Sequence, residues 1–176
     1  MSDTIRAQFQ CIDCSTQYSL REAVYSCAKC NGLLEVTQNP EVFTALSPDG
    51  WKSLFDSRFA GRPGFEGSGV WRFREWILPD LPTLDIVSLG EGASPLVMSQ
   101  RLSDSLKVRL MVKQCGHSLS GSFKDLGMTV LTSQVHHLRR EGMDIPAVAC
   151  ASTGDTSAAL AAYGAAAGIR TLVLLP

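Results

Sequence analysis

From about Val87 onward, strand-like and helix-like stretches alternate, and this alternation restricts the fold more than any other feature of the chain. The segment 107–113 (KVRLMVK) interleaves polar and apolar residues and reads as a strand. A loop over 114–121 follows, then a helix over 123–141 with Met128, Leu131, Val135 and Leu138 along one face. Residues 145–151 read as a short buried strand, 155–167 as an alanine-rich helix able to lie close against a neighbour, and 171–175 as another buried strand. Ser122 with Asp125, and Ser152 with Asp155, have capping-box spacing, while Gly142 and Gly168 stand just past the helix ends. This order, with connections this short, predicts parallel strands joined by right-handed crossovers, an α/β fold in three layers, α/β/α. Three parallel strands need helices on both faces, and two crossovers do not supply them. The expectation is therefore a piece of a longer protein, incomplete at its C-terminus; a small domain completed by the first 88 residues or by a partner is the alternative.

Two regions precede this one. Residues 1–38 hold four of the six cysteines, and residues 39–88 hold all three tryptophans among many prolines and glycines. The second region reads as short helices packed on a larger body, with no chemistry of its own. In the first, Cys11-x-x-Cys14 and Cys27-x-x-Cys30 lie twelve residues apart. Two thiol pairs at that spacing can close a tetrahedral site for a structural Zn2+, with all four positions filled by protein. Disulfides or idle thiols are the other reading. The opening MSDTIRAQ lacks the apolar segment of a secretory signal, and no run approaches the roughly 20 apolar residues of a membrane span. A cytoplasmic, reducing setting is the expectation, and it favours metal over disulfide. Formal net charge is −1, and only Arg6, Arg21 and Lys29 are basic within the first 36 residues, so neither nucleic acid nor an anionic membrane is an expected partner. The pair Arg139-Arg140 matches the dipole at a helix C-terminus.

Lys124 falls in the first turn of the long helix, in Gly121-Ser122-Phe123-Lys124-Asp125. The positive end of a helix disfavours an ammonium there and eases formation of the neutral amine, the form that makes a Schiff base with an aldehyde cofactor. Read on its own, an ordinary exposed lysine fits as well. The second turn, 151–157 (ASTGDTS), offers hydroxyls, a glycine and free backbone N–H groups at a helix start, which suit an anion; simple capping is the plain alternative. Both turns follow strand C-termini, where open α/β sheets bind their ligands.

The stretches GSFKDLGMTVLTSQV and CASTGDTSAALAAYGAAAGI, with LFDSR, GSGVW, EWILP and VKQCGHSLSGSFKD, resemble the threonine synthases of the fold-type II pyridoxal-phosphate family, above all the plant and cyanobacterial kind. A four-cysteine ribbon occurs in a subset of them. The resemblance implies that Lys124 carries pyridoxal phosphate and moves protons, that Phe123 and Asp155 flank the cofactor, and that Ser152, Thr153, Gly154 and Thr156 bind the substrate carboxylate. It implies O-phospho-L-homoserine as substrate, L-threonine and phosphate as products, and a homodimer for the full-length protein. Many relatives carry Asn where this chain has Asp155, although plant-type members also read STGDTS. The turn Gly90-Glu-Gly-Ala-Ser-Pro95 departs from the family at Ala93, usually Asn. The family's cradle for the cofactor phosphate lies further along the chain, so residues 1–176 alone are expected to turn over negligibly. Two other readings stand beside this one. One is another fold-type II enzyme, such as a threonine dehydratase or a cysteate synthase-like enzyme; the other is a non-catalytic zinc-ribbon interaction protein or remnant. His117, His136 and His137 carry no assigned role, and Cys115 and Cys150 read as packing residues.

Overall fold

The N-terminal region of the chain winds into a small antiparallel sheet. This computed structural model describes residues 6–59 and 63–175. Strands β1 (Ala7–Cys11), β2 (Gln17–Tyr18) and β3 (Leu34–Gln38) are ordered β2-β1-β3, with Phe9 opposite both Tyr18 and Val36. Each Cys-x-x-Cys turn closes through the N–H after its second cysteine. Ser15 donates to Cys11 O at 3.0 Å and Asn31 to Cys27 O at 2.8 Å, both from left-handed backbone. Asn suits that conformation, which costs most side chains about 1–2 kcal/mol.

Residues up to Asp56 and Phe73–Leu81 form one compact unit. Besides the sheet it contains α1 (Glu41–Thr44), most of α2 (Pro48–Phe59) and α3 (Arg74–Ile77). Its core is aromatic: Trp51 stacks on Phe55 at 5.3 Å, and Trp76 meets the two edge-on at 5.4 and 4.9 Å. Trp51 Nε1 donates to Phe43 O at 2.8 Å, so its one polar atom is satisfied. Gln38, at the end of β3, donates to Ile77 O at 3.0 Å, and Arg6 Nε pairs with Asp80 at 2.5 Å.

The second unit comprises Ser57–Arg72 and the chain from Pro82 onward. It contains β4 (Leu96–Met98), α4 (Gln100–Leu106), β5 (Met111–Lys113), α5 (Lys124–Arg140), β6 (Val148–Ala151), α6 (Asp155–Ala166) and β7 (Thr171–Leu174). Helix, strand, helix and strand after Lys124 agree with the sequence. Gly142 and Gly168 end the two helices at φ 92° and 63°. The parallel sheet is smaller than expected, and this is a correction. Among the described residues only β6 and β7 pair in parallel, while β5 pairs antiparallel with β4, Val97 opposite Val112. The expected strand over 107–113 begins late because Lys107, at φ 54°, is the left-handed cap of α4, and Val108 N–H returns to Ser103 O at 3.1 Å. Strands β6 and β7 are also more exposed than a buried parallel pair should be, because helix cover reaches them from too few sides.

Helix α5 buries part of the face its apolar residues announce, at Val135 and Leu138, and buries hydroxyls beside it. Leu131 is 44% exposed, whereas Thr129, Thr132 and Ser133 are fully buried along with Val135 and Leu138. The hydroxyls are used. Trp71 Nε1 donates to Thr129 Oγ1 at 2.7 Å, Thr129 donates to Val87 O at 2.7 Å, and Val87 N–H donates to Ser133 Oγ at 2.8 Å. Residues 83–87 thus dock on α5 through side-chain hydroxyls, which satisfy polar backbone that burial would otherwise leave unpaired. Asp85, in the 3-10 turn Thr83–Asp85, accepts from His137 Nδ1 at 2.8 Å and from Arg140. Burial pushes its carboxyl up, but the bonds from Arg140 and His137 outweigh that effect and hold it below its ordinary value.

Candidate functional site

The loop after β5 winds back on itself before α5 begins. Asp125, fully buried in the first turn, accepts from Ser120 N–H at 2.9 Å, from Ser120 Oγ at 2.5 Å and from Ser118 Oγ. The expected box between Ser122 and Asp125 does not form, because Asp125 reaches into the loop instead of back to the Ser122 N–H. Ser122 Oγ receives the Lys124 N–H at 3.3 Å and donates to Asp155 Oδ2 at 2.9 Å. The second box fails for the matching reason: Asp155 turns toward Ser122, and Ser152 Oγ accepts from Gly154 N–H at 3.3 Å. Two turns 33 residues apart in sequence are therefore tied by one hydrogen bond.

That bond brings together most of the residues singled out above. Lys124 begins α5 with its Nζ 4.1 Å from the Phe123 ring centroid, and the Phe123 ring is 54% exposed. Gly154 caps α6, and a Cβ there would meet nothing within 4 Å, so the space above the 152–156 turn is open. The first N–H groups of α6, at Asp155 and Thr156, have no carbonyl partner within their helix and stand as donors for an anion. Ser152 and Thr153 precede them on the same turn. An amine, an exposed aromatic face and an open anion-suited turn are the features an aldehyde cofactor with an anionic substrate requires, so these residues fit pyridoxal phosphate.

A cavity of about 180 Å³ lies beside Phe123, walled by Gly69, Val70, Gly92, Ala93, Ser94 and Ser118 among others. Its wall depends on a close approach of two glycines. A Cβ on Gly69 would fall 1.9 Å from Ala93 N, and one on Gly92 would fall 2.7 Å from Gly69 Cα. Ala93 itself sits at φ 49°, a conformation that Asn adopts more readily, which gives the departure at this position a backbone consequence. Cys115 lines the same cavity and is exposed, a correction to its reading as a packing residue. His137 is buried against Asp85, a structural part that its neighbours in sequence gave no sign of. His136 lies alongside, with Nδ1 3.3 Å from Asp85 O.

In the other unit, the sulfurs of Cys11, Cys14, Cys27 and Cys30 all lie within 4.8 Å of one another. Three of the pairs are separated by 3.4–3.5 Å. Four thiolates at about 2.3 Å from one zinc would stand about 3.8 Å apart, so the cluster fits the ion with little movement. The Tyr18 hydroxyl, 3.1 Å from Cys27 Sγ, draws that thiol down to about 6. A backbone bond at Gly32 favours the Cys30 thiolate, but the neighbouring thiols Cys14 and Cys11 push Cys30 up to about 12. Sulfurs this close cannot all lose their protons unless a cation replaces them.

Residues 87–176 match the family described as pyridoxal-phosphate dependent enzyme. The chain belongs to that family. It is 47% identical over 161 residues to threonine synthase 2, chloroplastic, of Arabidopsis thaliana, a match covering 90% of this chain and 31% of that protein. It is 40% identical over 168 residues to a threonine synthase of Methanosarcina acetivorans, covering 95% of this chain and 36% of the relative. A threonine synthase of Methanocaldococcus jannaschii is 38% identical over the same share of this chain, and 37% of its own length is covered. The chain thus spans about a third of the length of these relatives. Among the described residues no helix is long and apolar enough to cross a membrane.

Proposed function

We propose that the protein carrying this chain is a threonine synthase, which converts O-phospho-L-homoserine and water into L-threonine and phosphate. The observation that carries the reading is the bond between Ser122 and Asp155, which ties the lysine turn to the anion-suited turn. The names of the relatives support threonine as the product, and the family resemblance supplies the substrate. Pyridoxal phosphate, when bound, supplies an electron sink that stabilises negative charge developing on the amino-acid carbons. Lys124 holds it through Nζ, with Phe123 and Asp155 beside it. Once substrate arrives, the freed Lys124 amine takes the proton from the substrate Cα and later returns protons to the carbon skeleton. Ser152, Thr153, Gly154 and Thr156 hold the substrate carboxylate at the start of α6, so that the Cα–H bond faces Lys124. Over the whole reaction Cβ gives up a proton and takes the hydroxyl of water, while phosphate leaves Cγ, which gains a proton; the remaining proton of water goes to the solvent or the released phosphate.

The fold that accompanies this reading is the three-layer α/β/α arrangement, and a homodimer of the full-length protein is the assembly. The cysteine cluster is proposed as a structural Zn2+ site in a ribbon over residues 1–38, followed by a helical segment over 39–88 and the cofactor domain from 89. Thiols kept reduced, as in the cytoplasm, are a condition for that site. Phosphate release from O-phospho-L-homoserine tests the activity. With cofactor present, wild-type protein is expected to release phosphate and form threonine, and Lys124→Ala is expected to lose about 10³-fold or more of the rate. Ammonia released from threonine, with no phosphate from phosphohomoserine, would replace this reading with a dehydratase.

A further inference from the structure

The chemistry above leaves one buried carboxylate without a task. Glu91 is 1% exposed, and among the described residues no lysine, arginine or histidine is paired with it. It accepts instead from Ser68 Oγ at 2.5 Å, Ser88 Oγ at 3.0 Å, Leu89 N–H at 2.9 Å and the Tyr163 hydroxyl at 2.8 Å. A charge held away from water by dipoles alone grips its donors, because any donor that swings away leaves it uncompensated. Three of these donors adjoin the cavity wall along the chain. Ser68 precedes Gly69 and Val70, and Ser88 and Leu89 lead into the turn at Gly92–Ser94. The fourth donor belongs to α6. Tyr163 is fully buried, and burial, followed by the charge on Glu91, raises its phenol so that it stays protonated and donates.

Tyr163 lies eight residues along α6 from Asp155, about 12 Å at 1.5 Å per residue. Helix α6 is thus tied at its start by Asp155 to Ser122 and near its far end by Tyr163 to Glu91. Together with the packing of Ala159 and Leu160, the two ties fix the helix's slide and its tilt. We propose that Glu91 and Tyr163 form a latch that sets α6, and with it the 152–156 turn, against the cavity wall, and that both are positioning residues for the substrate carboxylate. This rests on the reading of that turn as the carboxylate site. Loss of the Tyr163 hydroxyl lets α6 pivot on the Ser122–Asp155 bond, so the donors at its start no longer converge on one point. The proton transfers at Lys124, on the other helix, are untouched.

Tyr163→Phe in the holoenzyme tests the latch through steady-state kinetics with O-phospho-L-homoserine and hydrogen exchange of the amides in 155–160. The expected result is a KM raised about tenfold with kcat within about twofold, the pattern of lost substrate positioning. Exchange is expected to quicken about tenfold in the first turns of α6 and to stay unchanged in α5. Glu91→Gln, neutral and of the same shape, should move KM in the same direction. The double variant should be no worse than the worse single change, because both act through one contact. A role in stability alone would lower the yield of active enzyme and leave KM where it was, and an unchanged KM overturns the proposal. If wild-type protein releases no phosphate but exchange at the start of α6 quickens in the variant, the synthase reading is lost and the latch on α6 stands.

Discussion

At the scale of single residues, Asp85 is a buried carboxylate outside the candidate site with a charged partner in Arg140. It is 2% exposed, and its carboxylate joins the turn at 83–85 to the last turns of α5 through His137 and Arg140. Asp85→Asn keeps the shape and removes the charge. The expected cost is about 2 kcal/mol, below the roughly 3–5 kcal/mol of breaking a fully buried pair, because Arg140 remains half exposed to solvent. The sign of the pH dependence follows from the direction of the shift. A carboxyl held below its ordinary 3.8 in the folded state contributes stability above that value and loses it as pH falls toward the folded value. Denaturant unfolding should therefore find the variant weaker by the full amount at neutral pH. The difference from wild type should shrink below about pH 4. A gap that stayed constant into acid would mean that the charge is not what Asp85 contributes.

At the scale of elements, the turn over 90–94 depends on the absence of two side chains. Gly69→Ala would drive a methyl into the backbone of Ala93, and backbone cannot step aside as a flexible side chain can. The expected cost is about 2–3 kcal/mol, a fall in Tm of roughly 5–10 °C for a chain of this size, measured by thermal unfolding. Little of this was legible in the sequence. Helices α5 and α6 announced themselves through caps, periodicity and glycine stops, because those signals are local. The pairing of β5 with β4 was not legible, since an alternating run does not say which strand it will meet. Nor were the two failed capping boxes: Ser122 and Asp155 have the spacing of caps but bond to each other across 33 residues. The burial of Thr129 and Ser133 was not legible either, because partners at Trp71 and Val87 come from segments more than forty residues away. The turns at Lys124 and 152–156 were legible as polar helix starts because that chemistry is local, while the roles proposed for their residues come from the family resemblance. Glu91 and Tyr163 were missed because burial is a property of the fold.

At the scale of the whole molecule, the two units owe their stability to different physics. The one that holds Lys124 has two long helices with buried side chains on α5 and α6 and hydroxyl bonds that leave few polar atoms orphaned. In the other, the three-stranded sheet has strands of only two to five residues, and its two Cys-x-x-Cys turns bring their four sulfurs together. Sheets this small are marginal in water without a further crosslink. Four thiols within 4.8 Å provide one when they bind an ion. The proposed zinc should therefore be a condition of folding for the sheet and not for α5 and α6. The expected stoichiometry is one zinc per chain by metal analysis. Chelation should speed hydrogen exchange in β1, β2 and β3 toward unprotected rates while α5 and α6 stay protected, and readdition of zinc should restore the sheet. Well under half occupancy in freshly purified protein, or a sheet that stays protected after chelation, would mean that Phe9, Tyr18 and their neighbours hold it without metal.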